Sequence, residues 1–203
     1  MADSVLRIRK EMIFMIEKYY PDLYFGSIRH VDLEDLKSRG IQGLILDIDN
    51  TLVPMHAKDA DENVIYWISE LKNKGFKVCI LSNASENRVI RFNKDISVTA
   101  IHRAYKPAGK AFLNAAKIMG LEPENVAVIG DQVFTDIYGG NKVNMLTILV
   151  KPIDEKEIFL VRIKRIFEKP VIKSFTKNLE YKISKRMEWK KNRLKLEKSR
   201  FKR

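Results

Sequence analysis

Five short apolar runs, separated by stretches of helical periodicity, constrain this chain more than any other feature. They are Gly43-Leu44-Ile45-Leu46-Asp47-Ile48, Lys77-Val78-Cys79-Ile80-Leu81-Ser82, Ser97-Val98-Thr99-Ala100-Ile101, Val126-Ala127-Val128-Ile129-Gly130 and Leu146-Thr147-Ile148-Leu149-Val150. Continuous apolar runs suit strands buried on both faces. Between them, Val64, Ile65, Ile68 and Leu71 share one face of a helix over 62–74, with Gly75 as its stop. Ser85 opens a second helix running to about Phe92, and Ala108–Met119 makes a third, ended by Gly120. This alternation predicts an α/β fold: a doubly wound, mainly parallel, Rossmann-like sheet. Ligands on such sheets bind beyond the carboxyl ends of the strands.

The flanks read differently. Residues 5–20 have the pattern of an amphipathic N-terminal helix, and residues 31–40 that of a short helix. Lys169-Pro170 reads as a break before a final basic stretch. The expected division is therefore 1–40 as an N-terminal helical segment, 41–168 as the core, and 169–203 as a basic amphipathic C-terminal helix. Charge supports setting the end apart. The net charge is +12 over 203 residues; residues 151–203 hold 19 Lys/Arg against 7 Asp/Glu, which is the whole excess.

With 45% hydrophobic residues the chain has material for a packed core. Its one cysteine, Cys79, lies inside an apolar run, can form no internal disulfide and reads as a small buried hydrophobe. The longest apolar run near the N-terminus, Met12–Ile16, falls short of the roughly 7–15 residues of a signal sequence and of the ~20 of a membrane span. The expectation is a cytoplasmic protein, at most peripheral at the inner face of the membrane.

Chemistry-bearing residues gather where the runs end. Asp47-Ile48-Asp49-Asn50-Thr51 follows the first strand and brings two carboxylates to the sheet edge. Close acids repel unless a cation lies between them, and Mg²⁺ suits oxygen ligands near phosphate. One acid can serve as a nucleophile; the other can protonate a leaving oxygen and later activate water. Ser82-Asn83 ends the second strand, where a hydroxyl and backbone N–H groups can hold phosphoryl oxygens. Lys106 offers a fixed ammonium to neutralise charge, and Pro107 after it suits the first position of a helix. Asp131 follows the fourth strand as Asp47 follows the first, with Asp136 one turn on as an outer acid supporting a metal site. Arg103, two residues past a strand end, is a candidate for touching substrate. His30, His56 and His102 show no ligand spacing and read as structural.

These residues, in this order and strand context over residues 41–150, resemble motifs I to IV of the haloacid dehalogenase (HAD) superfamily. The wider phrasing, including Pro21-Asp22-Leu23-Tyr24, Leu52-Val53-Pro54, Ile101-His102-Arg103-Ala104 and Gly130-Asp131-Gln132, resembles the YqeG-type branch of its subfamily IIIA. That branch is similar to the phosphatidylglycerophosphate phosphatases. The resemblance implies a HAD fold and a Mg²⁺-dependent phosphatase. It further implies Asp47 as nucleophile, Asp49 as acid/base, Thr51 as a supporting hydroxyl, Ser82 as phosphate ligand and Lys106 as charge neutraliser. Asp47, Asp131 and the backbone carbonyl of Asp49 would hold Mg²⁺. A receiver domain is set aside because an acid, Asp131, follows the lysine and none ends the second strand. No GxxxxGK[ST] is present for Walker-type nucleotide binding.

Only about 30 residues separate Asp49 from Ser82, and a loop and one helix use them, so no cap domain fits between the motifs. The expected cleft is open, with a large substrate supplying its own cover: a lipid headgroup, a protein or a nucleic-acid end. Ile172, Phe175, Leu179, Ile183 and Met187 form a helical stripe amid Lys and Arg, with Trp189 and Phe201 beyond. Such a tail suits an anionic membrane surface, at about 1 kcal/mol per basic residue, and hence an anionic phospholipid substrate such as phosphatidylglycerophosphate. It also suits RNA or the ribosome, or a stripe packed on the body of the protein, and the alternative to an enzyme is a non-catalytic adaptor that binds RNA, the ribosome or a membrane.

Overall fold

The computed structural model describes residues 16–154 and 161–180. Six strands form one sheet: β1 (Leu23–Phe25), β2 (Gly43–Leu46), β3 (Lys77–Leu81), β4 (Thr99–Ile101), β5 (Val126–Gly130) and β6 (Leu146–Val150). Their order is β1-β6-β5-β2-β3-β4, and every neighbouring pair is parallel. The five apolar runs are all strands; the last two are strands along their whole length, and the first three lose one or two residues at one end.

Alternation along the strands sorts the core into two layers. Leu44 and Leu46 pack with Ile80, Ala127 and Ile129 beneath α2 (Glu62–Asn73) and α3 (Glu86–Asn93). Ile45, Cys79, Leu81 and Val128 face the other way, onto Phe112, Ala115, Ala116 and Met119 of α4 (Gly109–Met119). Each such Leu, Ile or Phe contributes about 1.5–3 kcal/mol by leaving water. Burial pushes the Cys79 thiol up to about 12, as befits an inert core residue.

The helix ends follow local chemistry. Asp61 caps α2 by accepting from the Val64 N–H at 2.8 Å, and Gly75 takes a positive φ of 85° just past its end. Gly120 closes α4 in the left-handed region at φ 63°. Pro107 does not occupy the first position of α4. The cap is Ala108, so Pro107 stands outside the helix and cannot be what holds Lys106.

The flanks depart most from the sequence reading. The short helix before β2 is present as α1 (Leu33–Ser38), but β1 precedes it, a three-residue strand too short to show a period. Asp22 fixes its entry: the Asp22 carboxylate accepts from the Thr147 N–H at 2.8 Å and from the Thr147 hydroxyl at 3.1 Å. The helix expected over 5–20 lies almost wholly outside the described residues.

Residues 161–180 form one helix, α6, which runs through Lys169–Pro170 without the expected break; α5 is Tyr138–Asn141. A proline inside a helix leaves a carbonyl unpaired four residues back, here that of the exposed Ile166, where water can meet it. Of the described stripe residues, Ile172 and Phe175 pack on the body, while Leu179 is exposed. Phe175 is buried against the Tyr20 ring at 5.6 Å, Ile172 joins a cluster with Leu149, and the Ser174 and Tyr20 hydroxyls meet at 2.7 Å. Ile183, Met187, Trp189 and Phe201 lie outside the described residues. Among the described residues, no helix is long and apolar enough to cross a membrane.

The sheet order places a crevice. From β2 the chain winds through β3 to β4 on one side, then returns through β5 to β6 on the other. The loops after β2 and β5 therefore part in opposite directions, which opens a cleft above their carboxyl ends.

Candidate active site

Asp47 follows β2 directly, with its backbone N–H still donating to Ile129 at 3.0 Å, so the sheet fixes its Cα. A tight turn follows. Asn50 takes φ 65°, which asparagine tolerates, its N–H donates to Val53 at 2.7 Å, and the Leu52 N–H donates to Ile48 at 2.9 Å. The turn carries Asp49 and Thr51 back over the crevice. Thr51 is buried and spends its hydroxyl on Asp131, donating to Oδ1 at 2.9 Å. It supports that acid and does not line the cavity, which is where a substrate contact would have to be.

Three carboxylates converge across the crevice. Asp47, Asp131 and Asp136, all buried, have oxygen atoms within 4.8 Å of one another. Asp136 is thus drawn into the cluster itself and is no outer acid one turn away. The backbone explains this. After β5 the chain makes a π-helical turn over Val133–Ile137, and the Asp136 side chain folds back to accept from the Gln132 N–H at 3.1 Å. Gly130 makes room: a Cβ there would collide with Cβ and Cγ of Asp136.

Lys106 ties the cluster together. Its Nζ donates to Asp47 Oδ1 and to Asp136 Oδ1, each at 2.6 Å. The residue that holds Lys106 is Asn83. Its Oδ1 accepts from the Lys106 N–H at 2.7 Å and its Nδ2 donates to the Lys106 carbonyl at 3.3 Å. Ser82, buried beside it, accepts from the Ala84 N–H at 3.1 Å and leaves its own hydroxyl proton for a ligand.

Asp49 stands apart from the triplet. Its Oδ1 accepts from Arg88 Nη2 at 2.9 Å, and Arg88 is braced by the Lys58 carbonyl at 2.9 Å. Its Oδ2 makes no hydrogen bond among the described residues. Arg103 is exposed and lines a separate depression with Ile101 and Lys110, away from Asp47. The Arg103 backbone N–H donates to the Ala84 carbonyl at 3.0 Å.

Burial and crowding set the electrostatics. Burial raises Asp47 to about 8; Asp136 and Asp131 push the same way, against Lys106. Burial likewise raises Asp131 to about 6, helped by Asp136 and opposed by Arg165. For Lys106, burial alone would lower the pKa; Asp136 and Asp47 outweigh it and hold the ammonium charged well above its ordinary range. A set of three acids and one lysine is short of positive charge. Hard, all-oxygen donors at this spacing fit a divalent cation such as Mg²⁺.

The crevice has no cap, and a helix borders one side of it. A cavity of about 170 Å³ is lined by Asp47, Asp49, Ser82 and Lys106 from the sheet and by Val161 and Lys164 from α6. No cap is inserted between the motifs; the first turn of α6 walls the site instead. Four further residues escaped the sequence reading: Arg88, Arg165, Glu168 and Lys164. Arg165 and Glu168 are spaced i,i+3 in a helical stretch, a visible pattern with nothing local to tie it to a site more than thirty residues upstream.

Comparison with known proteins matches this arrangement. The haloacid dehalogenase-like hydrolase family matches residues 57–144. The "Probable phosphatase YqeG" of Bacillus subtilis is 40% identical over 159 residues, covering 78% of this chain and 92% of that one. Phosphatidylglycerophosphate phosphatase 1, chloroplastic/mitochondrial, of Arabidopsis thaliana is 28% identical over 183 residues, covering 85% of this chain and 51% of that one. The chain thus spans about half the length of this plant relative. Among solved structures, the cobalt-bound deoxy-D-mannose-octulosonate 8-phosphate phosphatase of Haemophilus influenzae has a TM-score of 0.47 at 18% identity, over 56% of this chain and 70% of that one, too loose a likeness to bear on the chemistry. The chain belongs to the haloacid dehalogenase-like hydrolases, in the branch that YqeG represents. It is a phosphatase, with an acidic cluster able to hold a divalent metal.

Proposed function

We propose that this phosphatase uses Mg²⁺ and Asp47 to hydrolyse phosphatidylglycerophosphate to phosphatidylglycerol. The observation that carries the chemistry is the buried triplet of Asp47, Asp131 and Asp136 with the Lys106 ammonium 2.6 Å from two of its members.

Asp47, Asp131, Asp136 and the backbone carbonyl of Asp49 are the groups that would hold the cation. Bound there, it neutralises the carboxylates and the phosphoryl oxygens together. The Asp47 carboxylate attacks phosphorus and forms an aspartyl-phosphate, while the bond from phosphorus to the ester oxygen breaks. Asp49 gives its proton to the departing alkoxide and then takes one from the water that attacks the aspartyl-phosphate. Inorganic phosphate leaves and Asp47 is restored. Lys106 screens Asp47 as the dianionic phosphate approaches, and the Ser82 hydroxyl donates to a phosphoryl oxygen. Asn83 keeps Lys106 in register throughout.

Three facts support the lipid substrate. The cavity, at about 170 Å³, is below the ~300 Å³ of sites that enclose a drug-sized ligand, so a terminal phosphate enters and the rest of the substrate stays outside. The plant relative is a phosphatidylglycerophosphate phosphatase by name. The excess positive charge lies wholly in residues 151–203, suited to a peripheral position at an anionic cytoplasmic leaflet.

The test is phosphate release from phosphatidylglycerophosphate vesicles, set beside phosphopeptides, nucleotides and sugar phosphates. Mg²⁺-dependent release from the vesicles, abolished by chelation, is expected. Robust release from a soluble ester with none from the lipid overturns the substrate assignment and leaves the phosphatase intact.

A further inference from the structure

The helix that borders the cavity carries an arginine and a glutamate that belong to none of the four strand-end motifs. Arg165 Nη1 donates to the Asp131 backbone carbonyl at 2.6 Å and to Glu168 Oε2 at 2.9 Å, while Nη2 pairs with Asp131 Oδ2. Glu168 is 1% exposed and its Oε1 accepts from the Phe134 N–H at 3.4 Å, which hooks α6 onto the segment just after Asp131. We propose that Arg165, with Glu168 as its buried counter-ion, is a positioning residue that fixes the Asp131 carboxylate for divalent-cation binding. The proposal rests on the reading of Asp47, Asp131 and Asp136 as the cation site.

The argument is geometric. Thr51 donates to one oxygen of Asp131 and Arg165 to the other. The carboxylate cannot turn about its Cβ–Cγ bond without losing one of these donors. Each oxygen still has a second lone pair, so a cation can bind without displacing either partner. The forked guanidinium also grips the backbone carbonyl, which sets the whole residue and not only its side chain. A bare guanidinium beside a cation site would repel the ion. Glu168, sealed in with it, cancels that charge, and burial alone would not retain an acid there without such a partner. Orientation is thus supplied at little electrostatic cost. Partners of this kind typically carry 10–100-fold of metal affinity.

The opposite arrangement has the opposite sign. If the guanidinium occupied the cation's own place, the ion would have to expel it, and removing Arg165 would tighten binding.

The experiment is Mn²⁺ binding to the full chain by electron paramagnetic resonance, at one pH, with the melting temperature of the cation-free protein recorded alongside. For Arg165→Ala the dissociation constant is expected to rise about 10–100-fold. Arg165→Lys, which keeps the charge and loses the fork, falls between. Glu168→Gln removes one buried counter-charge of the guanidinium and weakens binding by a smaller factor. Tighter binding by Arg165→Ala overturns the proposal, and so does an unchanged constant with a lowered melting temperature, which marks a purely structural pair. Should Arg165→Ala not fold, unchanged constants for Arg165→Lys and Glu168→Gln overturn it equally. A wild type that binds no Mn²⁺ overturns the cation site and this role together; a wild type that binds, beside unaffected variants, overturns the role of Arg165 alone.

Discussion

The floor and the wall of the active crevice are built on different terms. The floor comes from loops at four strand ends: Asp47, Ser82, Lys106 and Asp131 each stand within a few residues of a paired strand, and the sheet sets their backbone positions. The wall, α6, belongs to no strand–helix unit. What holds it is side chains: Phe175 on Tyr20, Ser174 on Tyr20, and Arg165 with Glu168 on the Asp131 loop. The floor can lose a functional group and keep its shape. The wall depends on the very contacts that place it. Substitutions in the two regions should therefore separate activity from stability.

The sharpest separation is expected at Asp47. Asp47→Asn should cost about 10⁴-fold or more in kcat by removing the nucleophile. It also removes a carboxylate from a crowded, buried cluster, so the cation-free melting temperature should hold or rise. Kinetics beside calorimetry check both; a melting point lowered by many degrees would break the distinction. In the wall, Phe175→Ala should destabilise by about 3 kcal/mol, read by urea titration, with little change in kcat while the protein stays folded. A large loss of kcat with stability unchanged would make Phe175 part of the chemistry. Gly130→Ala probes the floor more gently. Displacing Asp136 should cost about 1–3 kcal/mol of stability and roughly tenfold in activity, the same quantities read by the same two assays.

The smallest effect is one of pH. Asp47 and Asp131 are raised to about 8 and about 6 in the fold, above the 3.8 of the unfolded chain. The folded state thus holds protons that the unfolded state has released, and stability falls as pH rises from about 4 to about 8. The cation-free melting temperature should decline by a few degrees across that window. Mg²⁺, by stabilising the ionised acids, should raise it most near pH 8. A flat profile without the cation would show that the acids are not crowded in solution.

The floor was largely legible in the sequence because its residues follow their strands at once. An apolar run reveals the strand, and the next residue is the site. Asp47 and Asp131 stand directly after their strands; Lys106 lies further past Ile101 and was legible from the order of the motifs. What escaped was whatever depends on a side chain's rotation or on distant partners. The partners are among these: Thr51, expected only as a supporting hydroxyl, serves Asp131, and Asn83, expected beside the phosphate, also serves Lys106. Asp136 enters the cluster because a π-helical turn and the missing side chain at Gly130 allow it, and neither has a signature in periodicity. Arg103 lies past a strand end as Lys106 does, yet it lines a separate depression. In α6, Arg165 and Glu168 show a helical spacing, but only the fold brings them to Asp131. The Lys169–Pro170 pair signals a break that solvent at an exposed turn makes unnecessary.

The wall's place in the chain bears on how such an enzyme changes what it accepts. Because α6 lies outside the sheet, residues that it turns to the cavity, such as Val161 and Lys164, can be exchanged without shifting the register of any described strand. The groups at the strand ends and the groups on the bordering helix can then diverge separately, one set held fast while the other drifts.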